Sequence, residues 1–336
     1  MLRQLKHLAV KALGLESFPC YVLSHDPPVI ISYWYDFLQV ADAALAALPK
    51  GRHVHLLFQL GWHRETDERM SELQNDLWRL QAFWPDVRFL FLCNSPVEKA
   101  QFDKRGLPGV FCHQNAFIDE RKLCIVPGAR KRFDAIYVAR ITPFKRHQLA
   151  AQVESLRLVG DHSAPELGYF QETLKALPQA SWSRRVRYRK LYKELNAARV
   201  GLCLSAEEGA MFVSAEYLLC GLPVVNTRNK GGRDALFERD YALTVDDTPE
   251  AVAAGVKEMV ARKLDPGRVR GAALAKMRQH RETFVKLVQD IYDQEGANRR
   301  FQDEWPEVFI HKLGLRRSVP WGVWRKRILK PNTFRA

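Results

Sequence analysis

No stretch of this sequence reaches the ~18 consecutive apolar residues of a bilayer-crossing helix, so none is expected. The six cysteines, Cys20, Cys93, Cys112, Cys124, Cys203 and Cys220, form no C-x-x-C pair. That spacing excludes the common zinc and dithiol motifs, and cysteines in apolar runs read as buried free thiols of a reducing compartment. The sequence has no internal repeat, no low-complexity segment and no D-x-D pair, since Asp246 and Asp247 are adjacent. Helix-turn-helix, zinc-finger and RNP-like patterns are missing too, which disfavours a sequence-reading nucleic-acid protein. The amino-terminal stretch MLRQLKHLAVKALGLESF is basic and amphipathic. Lys11 interrupts its apolar run and no small-residue cleavage site follows, so it does not read as a signal peptide.

What the chain does have is length, basic charge and alternation. Its 336 residues exceed the ~250–300 at which one core usually stops growing, so two domains are expected. A formal charge of +14 favours anionic partners. The charge concentrates in SRRVRYRKLYK (183–193) and in HKLGLRRSVPWGVWRKRILK (311–330), where Trp321 and Trp324 interleave with Arg and Lys. The first run reads as a solvated helix face. The second reads as a crossing helix or an interfacial anchor.

Short apolar runs alternate with helical patterns. Strands are expected at 27–35, 53–61, 86–95 and 109–115, then at 133–141, 198–205, 222–227 and 241–245. Residues 119–132, DERKLCIVPGARKR, are charged and contain Pro-Gly, and read as a linker. Alternation of this kind implies parallel sheets covered on both faces. The expected division is 1–131, 132–296 and a tail, 297–336, giving two doubly wound α/β domains.

The stretch AEEGAMFVSAEYLLCGLPVV (206–225) carries the chemistry. GLCLS before it reads as a buried strand, and a helix is expected from about Met211 to Cys220, stopped by Gly221 and Pro223. Glu208 then lies at the carboxyl end of a strand and Glu216 within the following helix. Ionised carboxylates accept hydrogen bonds only, so each can hold a sugar diol. At ~1.5 Å per helical residue, the eight steps between them cover at most about 12 Å. Arg140 and Lys145, after the strand FDAIYV, supply cations for phosphate. Considered alone, the glutamates read more readily as ordinary carboxylates on a helix surface.

Together these segments resemble the retaining glycosyltransferases of family four, which have the GT-B architecture. Arg140-x4-Lys145 is similar to their R-x4-K, EEGAMFVSAEYLLCGLPVVNT to their E-x7-E with C-G-x-P-V-V, and GGR (231–233) to their glycine pair. CNS (93–95) and HQNAFID (113–119) are similar to the last two strand ends of their first domain. The resemblance covers roughly residues 86–250. It implies an α/β fold of two Rossmann-like domains facing a central cleft. It also implies sugar transfer from a nucleotide-diphosphate donor to a saccharide or lipid-linked acceptor, with retention of configuration and no metal or other cofactor. In that reading Glu208, Arg140 and Lys145 are catalytic. Glu216, Gly209, Ala210, Met211, Thr227 and Gly232 bind the donor, and His113 and His63 are candidate contacts to sugar or acceptor. The chain departs from the family at Ala210-Met211, where Phe-Gly is common, and lacks its glycine-rich loop after the first strand.

The expected location is cytoplasmic, with an anionic membrane surface as a further partner. Two alternatives stay open at this stage: another GT-B enzyme such as a sugar-nucleotide epimerase, and a basic nucleic-acid-binding protein.

Overall fold

The computed structural model describes residues 17–48, 51–314 and 318–320. They fall into two compact units. One is built from residues up to Phe117 together with those from His280 onward, the other from Ile118–Gln279. The expected boundary at 131/132 therefore falls inside the second unit, and the one at 296/297 inside the first.

The first unit holds β1 (Ser17–His25), β2 (Pro28–Tyr33), β3 (Val54–Gln59), β4 (Val87–Cys93) and β5 (Gly109–Phe111). From β2 to β5 the neighbours are parallel, and β1 is antiparallel to β2. A further strand, Ser318–Pro320, pairs antiparallel with β1 at the edge. Every residue of β3 is buried, and its side chains alternate between two cores. Leu56 and Phe58 pack with Trp34, Phe37 and Phe91. Leu57 packs on the other face with Leu92, Phe117, Phe284 and Phe301. The helix Asp67–Phe83 covers the first face because Met70, Leu73, Leu77 and Leu80 recur at helical spacing, and Thr66 caps it by accepting from the Arg69 N–H.

Phe301 and Leu313 in that second core show where the start of the expected tail belongs: residues 297–314 pack into the first unit. Trp321 and Trp324, with most of the basic tail, lie outside the described residues, as does the amino-terminal basic stretch through residue 16.

The second unit has an all-parallel sheet: β6 (Phe133–Val138), β7 (Leu156–Val159), β8 (Ser181–Ser183), β9 (Ala198–Cys203), β10 (Val224–Thr227) and β11 (Ala242–Val245). Its spatial order is β8-β7-β6-β9-β10-β11, the doubly wound nucleotide-binding order, with a switch point between β6 and β9. The helix Pro249–Ala261 covers one face with Val252, Val256 and Met259 buried.

Residues 119–132 are tied down along their length. The Asn196 side chain accepts from the Val126 N–H at 2.8 Å and donates to the Cys124 carbonyl at 2.8 Å. Leu123 is fully buried. Of the run at 183–193, expected as a solvated helix face, only residues 188–193 are helical, since 183 ends β8 and 184–187 connect the two elements. Leu191 and Leu195 anchor the helix Tyr188–Asn196, while Arg187, Arg189, Lys190 and Lys193 are exposed. Five of the six cysteines are buried, and Cys124 is the exposed one.

Candidate active site

The site candidates of the second unit gather at the carboxyl edge of its sheet, around the switch point. Ladder pairing of β6 with β9 ends at Ile136 and Gly201. Beyond it the Val138 N–H donates to the Tyr217 hydroxyl at 2.8 Å, so a fully buried phenol takes over where the strands part. Gly201 makes room for that ring, since a Cβ there would meet it at 2.5 Å.

Chain leaving β6 forms a 3-10 turn, Pro143–Lys145, held by the Tyr137 hydroxyl donating to the Lys145 carbonyl at 2.7 Å. The Lys145 ammonium donates to Glu208 Oε1 in a buried ion pair. A buried pair of opposite charges is weak evidence of stability, because desolvation offsets much of the attraction. His147, just beyond, is packed against Tyr137 at 4.8 Å. Burial, and then the Lys145 charge, push its pKa down to about 3, so it is neutral at physiological pH.

Chain leaving β9 carries Glu208 and Gly209, and chain leaving β10 runs beside it. Glu208 N–H donates to the Lys230 carbonyl at 3.0 Å, Lys230 N–H to Ala206 at 2.8 Å, and Gly232 N–H to Gly209 at 2.7 Å. These bonds extend the parallel pairing past the sheet. Ala210 and Met211 are buried, and Met211 adopts φ 46°, ψ 83° immediately before the helix Phe212–Leu219, with no side chain capping that end. A left-handed Met at a helix entrance is unusual, since only glycine occupies that region freely. The helix ends in a Schellman turn at Gly221 (φ 74°), where Leu222 N–H donates to Tyr217 and Gly221 N–H to Leu218. Glu216, in its middle, is buried. It faces Tyr188, whose phenol is pushed up by burial first and then by the Glu216 carboxylate.

Arg140 stands apart from the Lys145–Glu208 pair. Its side chain is 60% exposed and its Nε lies 3.9 Å from Glu166 Oε1. Hydrogen bonds from Ser163 and Thr142, aided by the Arg140 charge, hold Glu166 down at about 2. Arg140 and Lys145 share one neighbour, the Phe144 ring, with Cζ and Nζ at 5.9 and 5.0 Å from its centroid.

Two arginines at this edge go unassigned by the sequence motifs. Arg146 donates from Nε to the Leu204 carbonyl at 2.6 Å, from Nη2 to Thr227 Oγ1 at 2.7 Å and from Nη1 to Asp247 Oδ2 at 2.7 Å. Arg233, in the GGR triplet, is completely buried and donates to the carbonyls of Ser205 and Thr227 and to Asp234. No pattern of residue types announces a buried guanidinium. The one sequence signal is a basic residue directly after a glycine pair.

His63 and His113 lie past the carboxyl ends of β3 and β5 in the first unit, and both are buried. His63 Nε2 is bonded to Arg69 Nη1, and His113 Nδ1 accepts from the Asn115 N–H at 3.2 Å. Among the described residues no group of three or more His, Cys, Asp or Glu could hold a metal, and no helix is long and apolar enough to cross a membrane.

The chain has the GT-B fold of glycosyltransferases, as comparison with solved structures shows. It superposes on Anabaena HepE, solved with UDP and glucose, with a TM-score of 0.53 at 19% identity, covering 68% of this chain and 67% of that one. It superposes on sucrose-phosphate synthase from Thermosynechococcus elongatus with a TM-score of 0.55 at 17% identity, covering 81% and 74%.

Sequence comparison matches part of the chain. Residues 135–262, within the second unit, match the family model "Glycosyl transferases group 1". A D-inositol 3-phosphate glycosyltransferase of Acidothermus cellulolyticus is 34% identical over 115 residues, which is 33% of this chain and 25% of that protein. The match therefore spans about a quarter of that relative's length.

Proposed function

We propose that the protein is a retaining, metal-independent glycosyltransferase of the family-four type, moving a sugar from a nucleotide-diphosphate donor to a saccharide or lipid-linked acceptor. The observation that carries this reading is the buried Lys145–Glu208 pair at the switch point of a nucleotide-binding sheet. Ligands of such sheets bind outside the carboxyl ends of the strands, at that point. The matched glycosyl transferases group 1 segment contains both residues.

The roles follow from charge and reach. Lys145 holds the donor diphosphate and stabilises the charge that develops on it as the glycosidic bond breaks. Glu208 bonds Lys145 through one oxygen and offers the other to donor-sugar hydroxyls. Glu216 holds the ribose diol. Backbone at Gly209, Ala210 and Met211 contacts the donor, and Thr227 and Gly232 line its site. Arg140 joins on the phosphates. Its exposed pair with Glu166 at 3.9 Å is worth only about 0–1 kcal/mol, so the guanidinium is easily released to an anion. His63 and His113 are assigned to sugar or acceptor contact from the first unit. Catalysis is positioning plus electrostatic stabilisation of an oxocarbenium-like state and a departing nucleoside diphosphate. We place transfer on the cytoplasmic side, with an anionic membrane surface as a partner when the acceptor is lipid-linked, in keeping with the charge of +14.

Nucleotide binding tests the assignment of Glu216. Calorimetric titration with UDP, GDP and ADP is expected to single out one base. The variant Glu216→Ala is expected to bind that nucleotide at least ~10-fold more weakly, as for a buried charged partner of a diol. Equal affinity of wild type and variant for all three would remove Glu216 from the ribose site.

A further inference from the structure

Arg146 has a costly backbone. At φ 51°, ψ 48° it sits in the left-handed region between two 3-10 turns, where a non-glycine residue costs about 1 kcal/mol or more. Glycine would fill that position without strain. The side chain is what such a position retains an arginine for, and all three of its hydrogen bonds run to the carboxyl edge. Arg233 is costly in another way. A full charge at complete burial carries a large desolvation penalty, which is met here only because Asp234 and the carbonyls of Ser205 and Thr227 all receive the guanidinium. An apolar side chain would fill the same volume without that penalty.

The two guanidiniums converge. Arg146 takes Thr227 by its hydroxyl and Arg233 takes it by its carbonyl. Arg146 holds the Leu204 carbonyl and Arg233 the next one along, Ser205. The Leu204 and Ser205 carbonyls lie just past the β9–β10 ladder, where sheet pairing no longer satisfies them, and Thr227 is the last residue of β10, still paired with Val245 on its other side. Arg233 also receives Ser214 Oγ on its own carbonyl at 3.1 Å, which ties in the helix bearing Glu216. Arg146 follows Lys145 directly. Between them the pair fixes four segments: the Lys145 turn, the exit of β9 that leads to Glu208, the end of β10, and the Phe212–Leu219 helix.

We propose that Arg146 and Arg233 form a guanidinium clamp on Thr227 that positions Lys145, Glu208 and the Gly209–Met211 backbone to receive a nucleoside diphosphate. Neither arginine needs to touch the ligand, so both are positioning residues. The proposal rests on the nucleotide-sugar reading above. Preset donors avoid the ordering cost that loose loops would incur on binding.

The test replaces Arg146 by glycine, which keeps the backbone conformation and removes the fork. Affinity is read by calorimetry with UDP, GDP, ADP and CDP, and the unfolding midpoint is recorded alongside. We expect Arg146→Gly to keep a cooperative unfolding transition and to bind the preferred nucleotide at least ten-fold more weakly, with added methylguanidinium restoring most of the loss. Arg146→Lys is expected to stay weak, because an ammonium cannot make three divergent bonds at once. Should Arg146→Gly not fold, Asp247→Asn weakens only the exposed arm of the clamp and is expected to cost two- to three-fold in affinity. Wild-type affinity in a folded Arg146→Gly, or in Asp247→Asn where that is the variant used, would overturn the clamp and leave the nucleotide reading standing. Failure of the wild-type protein to bind any of the four nucleotides would overturn that reading, and the clamp with it.

Discussion

Lys145→Ala is expected to lower sugar transfer by about 10²–10³-fold, the usual loss when one preorganised charge at a developing anion is removed. Because Lys145 is buried against Glu208, the same change leaves a carboxylate without its counter-charge. Breaking such a pair costs about 3–5 kcal/mol, so activity and stability fall together in the single variant. The double variant Lys145→Met, Glu208→Gln separates the two effects. Removing both charges and keeping the volume is expected to recover most of the unfolding midpoint, while transfer stays at the level of the single variant. Near-normal turnover in either variant would remove Lys145 from the reacting site. Recovery of turnover in the double variant would make the pair structural only.

A second large effect on stability is expected at Gly160, directly after β7. A Cβ there would stand 1.8 Å from the Ala139 carbonyl oxygen, a contact only backbone movement can relieve. Ala139 follows β6 and precedes Arg140, so relief would pull apart the neighbouring exits of β6 and β7. Gly160→Ala is expected to cost more than about 3 kcal/mol, which lowers the unfolding midpoint by roughly 6 °C or more in a unit of this size. Gly271→Ala is the matched control. It lies in the helix Pro266–Gln294, and an added methyl meets nothing within 4 Å. There alanine is expected to raise stability by about 0.4–1 kcal/mol. Equal midpoints for the two variants, followed by circular dichroism, would mean the Ala139 contact is not as tight as described.

The sequence was most legible where pattern and burial coincide. The strands expected at 53–61, 86–95 and 133–141 contain β3, β4 and β6. The helix expected from about Met211 to Cys220 runs from Phe212 to Leu219, because Gly221 and Pro223 are turn chemistry that sequence displays directly. β1 went unread because Pro19 interrupts it and its partner on one side is a strand about three hundred residues away. β7 and β8 are too short, at four and three residues, to show a period.

Residues 119–132 look like a linker by composition, yet their backbone groups find partners at Asn196 and Arg270 that no local pattern reveals. The site divides in the same way. Lys145, Glu208 and Gly209 stand out in the sequence itself, Met211, Thr227 and Gly232 follow from the family resemblance, and the fold brings them to one edge. Arg146 and Arg233 cannot, since a left-handed backbone and a buried charge are properties of the folded chain.

We expect this edge to release a sugar from a nucleoside diphosphate and to hand it on with its configuration kept. The most direct measurement is NMR-monitored turnover of UDP-, GDP- and ADP-linked hexoses with the full chain, in the presence and absence of saccharide and lipid-linked acceptors. We expect acceptor-dependent release of one nucleoside diphosphate, together with a glycoside whose anomeric configuration matches that of the donor. Inverted product, an epimerised sugar formed without acceptor, or no nucleoside diphosphate from any donor would contradict it.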